Sequence, residues 1–258
     1  MYNQYRPGQR SHAFGDNALN AGVARPMAQA LPYIRRVYTL FGAGIAFAIA
    51  GGLVALYAGT PVAMSAREGE VAVAPIVAFG VEHWIVMMVL YFGAFLAASF
   101  LRQRPGINLV ALFGYTFLTG IFVAPAIYFA QVMASHGATL DPSPVRDAFL
   151  LTGAAFGGLT TYVFVTRKDF SFLGAGLTMG LWVVLGASLL SIFLHSAVLS
   201  LAIASVGVLL FAGYILYDTS RLLRDEREND AVGAALRLFL DVINMFLFIL
   251  RIFSSRRS

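Results

Sequence analysis

Seven nearly uncharged apolar stretches decide what this chain can become: 33–58, 84–101, 106–132, 148–166, 171–194, 197–217 and 232–253. A membrane-spanning helix needs about 20 consecutive apolar residues, whereas a barrel strand needs about 9–11 that alternate in polarity. These runs have the helical length and do not alternate. In hydrocarbon every backbone polar group must be satisfied within the structure, and helices do this segment by segment. The expected fold is therefore all-α, an integral membrane bundle of seven transmembrane helices without a separate soluble domain. The composition agrees. The chain is 59% hydrophobic and 12% charged, against about 45–50% and about 25% in soluble domains. The fifth and sixth runs are parted only near His195 and Ser196, yet together they are too long for one crossing.

The flanks are polar. Residues 1–32 carry Arg6, Arg10 and Arg25 with many Gly, Pro, Asn and Gln, and no apolar core of the kind a signal peptide requires. They read as a mobile cytoplasmic tail ahead of a membrane domain at 33–253, and 254–258 as a short basic tail. The net charge of +5 comes mainly from arginines near the membrane edges; it sets topology and does not indicate nucleic-acid binding. Arg25, Arg35 and Arg36, then Arg102 and Arg104, then Arg167 and Lys168, then Arg221, Arg224, Arg227 and Arg237 fall on one side, and the alternate loops are poorer. The positive-inside rule puts that side, and the N-terminus, in the cytoplasm. The end "RIFSSRRS" runs against the rule if the seventh segment crosses fully, because Arg251, Arg256 and Arg257 then lie outside. A full crossing is nevertheless the expectation.

Cysteine is absent, which excludes disulfides and thiolate chemistry. The histidines, His12, His83, His136 and His195, show no ligand spacing. Gly153 with Gly157, and Gly176 with Gly180, have the four-residue spacing that lets helix backbones approach. "LFGAGIAFAIAGG" is glycine-rich, but it lies within an apolar span with no preceding strand, so it is no dinucleotide loop.

Two acids stand out. Asp218, in "YILYDTSRLL", ends the sixth run, and Asp241, in "LFLDVINMFLF", lies about nine residues into the seventh. Nine residues are roughly 14 Å of helix, so both acids belong to the cytoplasmic half at overlapping depth. A charged Asp at mid-span costs about 2.5–3.5 kcal/mol on insertion scales. Two readings follow. In one, each acid pairs within its own helix, Asp218 with Arg221 and Asp241 with Arg237. In the other, the two carboxyls meet. Two carboxylates in low dielectric cannot both ionise cheaply, so a proton is shared. Carboxylate oxygens are hard ligands suited to Ca²⁺, which makes Asp218 and Asp241 a pH-dependent cation site. Asn244, one turn beyond Asp241, adds a carbonyl ligand or hydrogen-bonds within the bundle.

"YILYDTSRLL" resembles the sixth-helix motif of the Bax inhibitor-1 family, the transmembrane BAX inhibitor motif proteins. "ALRLFLDVINMFLFILRIF" is similar to that family's last segment, "TRKDFSFLGAGLTMGL" to its turn between the fourth and fifth helices, and "LFGYTFLTGIFVAPAIYFA" to its third helix. The four motifs occur in the family's order and cover about 33–253. The resemblance implies a seven-helix bundle with the last helix central, and a pH-sensitive Ca²⁺ leak in which Asp218 and Asp241 form a hydrogen-bonded proton sensor. It also implies a second-helix arginine latched to the sixth-helix acid. Arg102 is the nearest candidate for that latch, or else an ordinary cytoplasmic flank. The loop at 59–83, with Glu68, Glu70 and Glu82, is long for a bacterial member and reads as a cation-collecting mouth or a solvated loop.

The leading expectation is thus a proton-regulated calcium leak channel of a bacterial inner membrane, without a cofactor, surrounded by lipid, with calcium as cargo and protons as regulator. The alternative is a regulator that binds and restrains a membrane-bound ATP-dependent protease. An intramembrane aspartyl protease would need a Gly-x-Gly-Asp motif, and "ILYDTS" and "FLDVIN" lack it; no His-Glu-x-x-His occurs either. The chain is not expected to be an enzyme.

Overall fold

The structure, a computed structural model, describes residues 27–66, 69–135, 140–194, 196–224 and 230–255. Most of the N-terminal tail, with Arg6, Arg10 and Arg25, lies outside the described residues, as do Glu68, Arg227, Arg256 and Arg257.

In chain order the elements are α1 (Met27–Tyr57), β1 (Val62–Ala66), β2 (Gly69–Val73), α2 (Pro75–Glu82), α3 (Trp84–Leu101), α4 (Ile107–Ala134), α5 (Ser143–Thr166), a 3₁₀ turn (Ser171–Leu173), α6 (Gly174–Leu194), α7 (Ala197–Arg224) and α8 (Ala231–Ser255). Seven of these helices are long and apolar enough to cross a membrane, and each corresponds to one of the seven apolar runs. Two starts differ from the sequence expectation. The first helix begins at Met27 and carries Pro32 inside it, so the polar tail gives way to helix before residue 33. α5 begins at Ser143, with Pro144 in its first turn, where a missing N–H breaks no helical bond.

The last helix is central. α8 packs against α1, α4, α5 and α7. In its most apolar stretch 61% of residues are buried, against 6–39% in the other six spans. It is one continuous helix of 25 residues, about 37 Å long and longer than the about 30 Å hydrocarbon core. Near its end Arg251 Nε donates to Ser200 Oγ at the start of α7, at 2.8 Å. α7 and α8 therefore run antiparallel over their whole length, and the seventh segment is one continuous helix, long and apolar enough to cross, that does not turn back. The outward faces of α3 and α6 leave Trp84, Phe100, Trp182 and Phe193 exposed, as lipid contact requires.

Close backbone packing falls on a different pair of glycines from those the spacing suggested. A Cβ on Gly120 of α4 would lie 1.9 Å from Ala48 O of α1, and one on Gly51 of α1 would lie 2.1 Å from Phe117 O of α4. A Cβ on Gly153, Gly157 or Gly176 would meet nothing within 4 Å, and one on Gly180 would meet the Leu210 side chain at 2.9 Å. The four-residue spacing was present there, but those faces are not turned to a neighbouring backbone.

The described residues of the loop at 59–83 are ordered by local pairing. β1 and β2 form an antiparallel hairpin in the register Val62↔Val73 to Ala66↔Gly69. Tyr128 of α4 donates its hydroxyl to Ala72 O at 2.8 Å and fastens the hairpin to the bundle. α2 and α3 are separated by one turn residue, His83, whose ring stacks on Phe79 at 4.6 Å.

Candidate functional site: a buried acid pair between two antiparallel helices

Asp218 lies six residues before the end of α7, and Arg237 six residues into α8. At 1.5 Å per residue each is about 9 Å from its helix end. Antiparallel packing therefore sets these two side chains level, and Arg237 Nε stands 3.4 Å from Asp218 Oδ1. Asp241 is one turn deeper along α8. Its carboxyl still comes within hydrogen-bonding reach of the Asp218 carboxyl, and it also feels the charge of Arg237. Both acids are buried, at 6% and 5% exposed.

The geometry thus joins both acids to one arginine. Arg221, the proposed intrahelical partner of Asp218, lies over the Tyr217 ring, with its guanidinium carbon 5.6 Å from the centroid.

Among the described residues, Asp241 Oδ2 is buried with no N–H or hydroxyl donor. An ionised carboxylate only accepts, whereas a protonated one also donates. Two facing carboxyls therefore hydrogen-bond when one carries a proton. Tyr214, one turn before Asp218, lies beside both acids. The adjacent Thr219 and Ser220 are fully buried, and Ser220 Oγ donates to Tyr217 O at 2.9 Å. α7 thus ends in a packed polar turn.

Arg102, the latch candidate, stands at Asp230 in this structure. Its Nε stands 3.3 Å from Asp230 Oδ2. Asp230 caps α8, its Oδ1 accepting from the Gly233 N–H at 2.7 Å. The reason is positional. Arg102 closes α3 at the bundle end, level with the start of α8, while Asp218 lies inside α7. A Cβ on Gly233 would lie 2.2 Å from Asp230 Oδ2 and 3.1 Å from Arg102 Cδ, so glycine leaves the room this contact occupies. Asn244 Nδ2 donates to Leu240 O at 2.7 Å, one turn back in its own helix, which is the bundle-internal role.

A second polar fastening lies at the same end. Arg167 ends α5 in the left-handed conformation, φ 52°. Arg224 Nη2 donates to Arg167 O, and Arg224 Nε is 3.7 Å from Asp169 Oδ2. Asp169 is held below the usual carboxylate range. Partial burial opposes ionisation, but hydrogen bonds from Ser171 and the charge of Arg224 outweigh it.

Sequence reasoning found both acids. It missed Arg237 as a cross-helix partner, because its spacing of four from Asp241 pointed along the helix instead of across it. It missed Asp230 as well; the signal for it is an Asp three residues before the glycine at the start of an apolar run. Among the described residues, no three His, Cys, Asp or Glu side chains gather as a metal cage. Asp218 and Asp241 supply two carboxylates, whereas Ca²⁺ takes six to eight oxygens when bound in place. Water or carbonyls would complete any coordination there.

Three comparisons bear on this arrangement. The sequence model of the family described as "Inhibitor of apoptosis-promoting Bax1" matches residues 31–258. An uncharacterized protein of Campylobacter jejuni is 32% identical over 226 residues, covering 88% of this chain and 89% of its own length. Protein lifeguard 4 of Mus musculus is 36% identical over 159 residues, 62% of this chain and 63% of the lifeguard. The Golgi anti-apoptotic protein of vaccinia virus (strain Lister) is 36% identical over 160 residues, with the same two shares.

Proposed function

The chain belongs to the Bax inhibitor-1 family, and from that premise we propose that it is a passive, pH-sensitive calcium leak gated by the Asp218–Asp241 pair. The observation that carries the reading is the three-charge group itself: two buried carboxyls and Arg237, 3.4 Å from one of them. With one shared proton the group is electrically neutral, which suits a site of low dielectric. Loss of that proton leaves one net negative charge between α7 and α8. That charge repels the two carboxylates from each other and attracts a cation. The protonated state is the closed one, and deprotonation loosens the contact between the helices. The incomplete ligand set favours transit of an ion over storage.

The same reading takes the arginine-rich end of the bundle as cytoplasmic and the membrane as a bacterial inner membrane. It involves no covalent chemistry. The decisive experiment is Ca²⁺ flux into proteoliposomes from pH 5 to 8, for the wild type, Asp218→Asn and Asp241→Asn. Flux that rises with pH in the wild type, and a flattened profile in either variant, supports the gate. Absence of protein-dependent flux at every pH overturns it.

The names of the lifeguard and anti-apoptotic relatives favour a second reading, a membrane regulator. For this chain the regulated partner would be a membrane-bound ATP-dependent protease, held through the polar N-terminal tail. Loss of protease binding on deleting residues 1–26, with flux intact, would assign the two activities to separate parts of the chain.

A further inference from the structure

A cavity of about 590 Å³ opens between α1, α4, α5 and α8, well inside the roughly 300–1,000 Å³ of typical ligand sites. Its floor is where α1 and α5 meet, at Phe41 and Phe156, whose ring centroids are 4.9 Å apart. Toward the hairpin end the two helices leave a cleft rimmed by Leu53 and Phe149, which remain 52% and 54% exposed. Its inner wall is Val242 and Ile243 of α8, the residues that follow Asp241. Thr152 also lines it, but its hydroxyl is spent on Ala148 O at 2.7 Å.

The remaining polar side chains, Tyr57, Gln131 and Arg146, line the cavity from the hairpin-side ends of α1, α4 and α5. Arg146 engages Asp147 Oδ1 through Nε and Nη2, at 3.0 and 2.9 Å. Among the described residues its other terminal nitrogen is unused.

An apolar cavity of this kind stays dry. A dry cleft open sideways within a bilayer is filled by what surrounds it. From Arg146 to Phe156 is ten residues of α5, about 15 Å, or half of the roughly 30 Å hydrocarbon core. We propose that the cleft is a lipid site. It takes one acyl chain of a phospholipid from the leaflet on the hairpin side, with the lipid phosphate at Arg146 and the chain end against Val242 and Ile243. The site is independent of calcium passage.

The test is photolabelling of the full chain in phosphatidylethanolamine–phosphatidylglycerol vesicles. The vesicles contain a trace of phospholipid with a diazirine at the end of one acyl chain. Labelled residues are read by peptide mass spectrometry. The expected result is label on Val242 and Ile243, in the most buried helix, besides label on lipid-facing Leu150 and Phe193. Label confined to lipid-facing residues overturns the proposal.

Gly153 lines the cleft, and a Cβ there meets nothing within 4 Å, so Gly153→Phe fills the cleft without a backbone clash. It should reduce α8 labelling several-fold with Leu150 and Phe193 unchanged. Gly176→Phe, on the exposed face of α6, should leave α8 labelling as in the wild type. Equal α8 labelling in Gly153→Phe and the wild type also overturns the proposal.

Discussion

Arg237 of α8 stands 3.4 Å from Asp218 of α7, and this contact ties together the two helices that carry the acid pair. The Asp218 side chain is 8% exposed and that of Arg237 is 26%. Removing one partner of a fully buried pair costs about 3–5 kcal/mol, and the partial exposure of Arg237 lowers this to about 2 kcal/mol. Arg237→Gln should lower the thermal midpoint in detergent, and Arg237→Lys should recover part of the loss. An Arg237→Gln midpoint equal to the wild type would show that the pair holds nothing.

The contact between Arg102 and Asp230 is more exposed, and Asp230 has a second role. Arg102→Ala should cost less than about 1 kcal/mol, as surface pairs do. Asp230→Ala should cost about 1 kcal/mol more, because it also uncaps α8. Asp230→Asn keeps a capping oxygen and should fall between them. Hydrogen exchange at Gly233 and Ala234 is the local readout, and equal protection in all three variants would refute the cap.

Two glycines inside membrane spans should behave oppositely. Gly120→Ala drives a methyl to 1.9 Å from Ala48 O, so two backbones must separate; overpacking of this kind costs about 1–3 kcal/mol or more. Gly153→Ala meets open space and should be neutral or slightly stabilising, because alanine is the better helix former. Thermal unfolding of both variants in one detergent decides the matter.

Asp169 gives a pH prediction outside the membrane spans. Its folded-state acidity is enhanced, so its contribution is fully present above its unfolded pKa of about 4 and fades as the pH falls through the lower folded value. The α5–α6 turn should therefore loosen only below about pH 4, read as faster exchange at Ser171. Between pH 5 and 8 it should not change, so a pH response of flux in that window does not come from this turn.

The spans were legible because hydrophobic length is a property of the chain itself. The acids were legible because a charge inside an apolar run stands out against it. What stayed hidden depended on rotation and level. Arg237 reads as a partner of Asp241 along one helix, and only the antiparallel offset of α7 and α8 brings it opposite Asp218. Gly153 and Gly51 look alike in sequence, and only the packing shows which faces a backbone. The hairpin was invisible because "VAMSA" and "GEVAV" are short and carry little alternating contrast.

The backbone contact between α1 and α4 at Gly51 and Gly120 has a mechanical consequence. Two helices meshed at the level of their main chains cannot slide by a fraction of a turn, because each carbonyl lies in a notch only a glycine can form. The pair behaves as one stiff strut. If Asp218 and Asp241 part as the proposed gate requires, α1 and α4 would travel together, and the movement would be left to α7 and to the polar fastenings at Asp230 and Asp169 that moor the loops beside it.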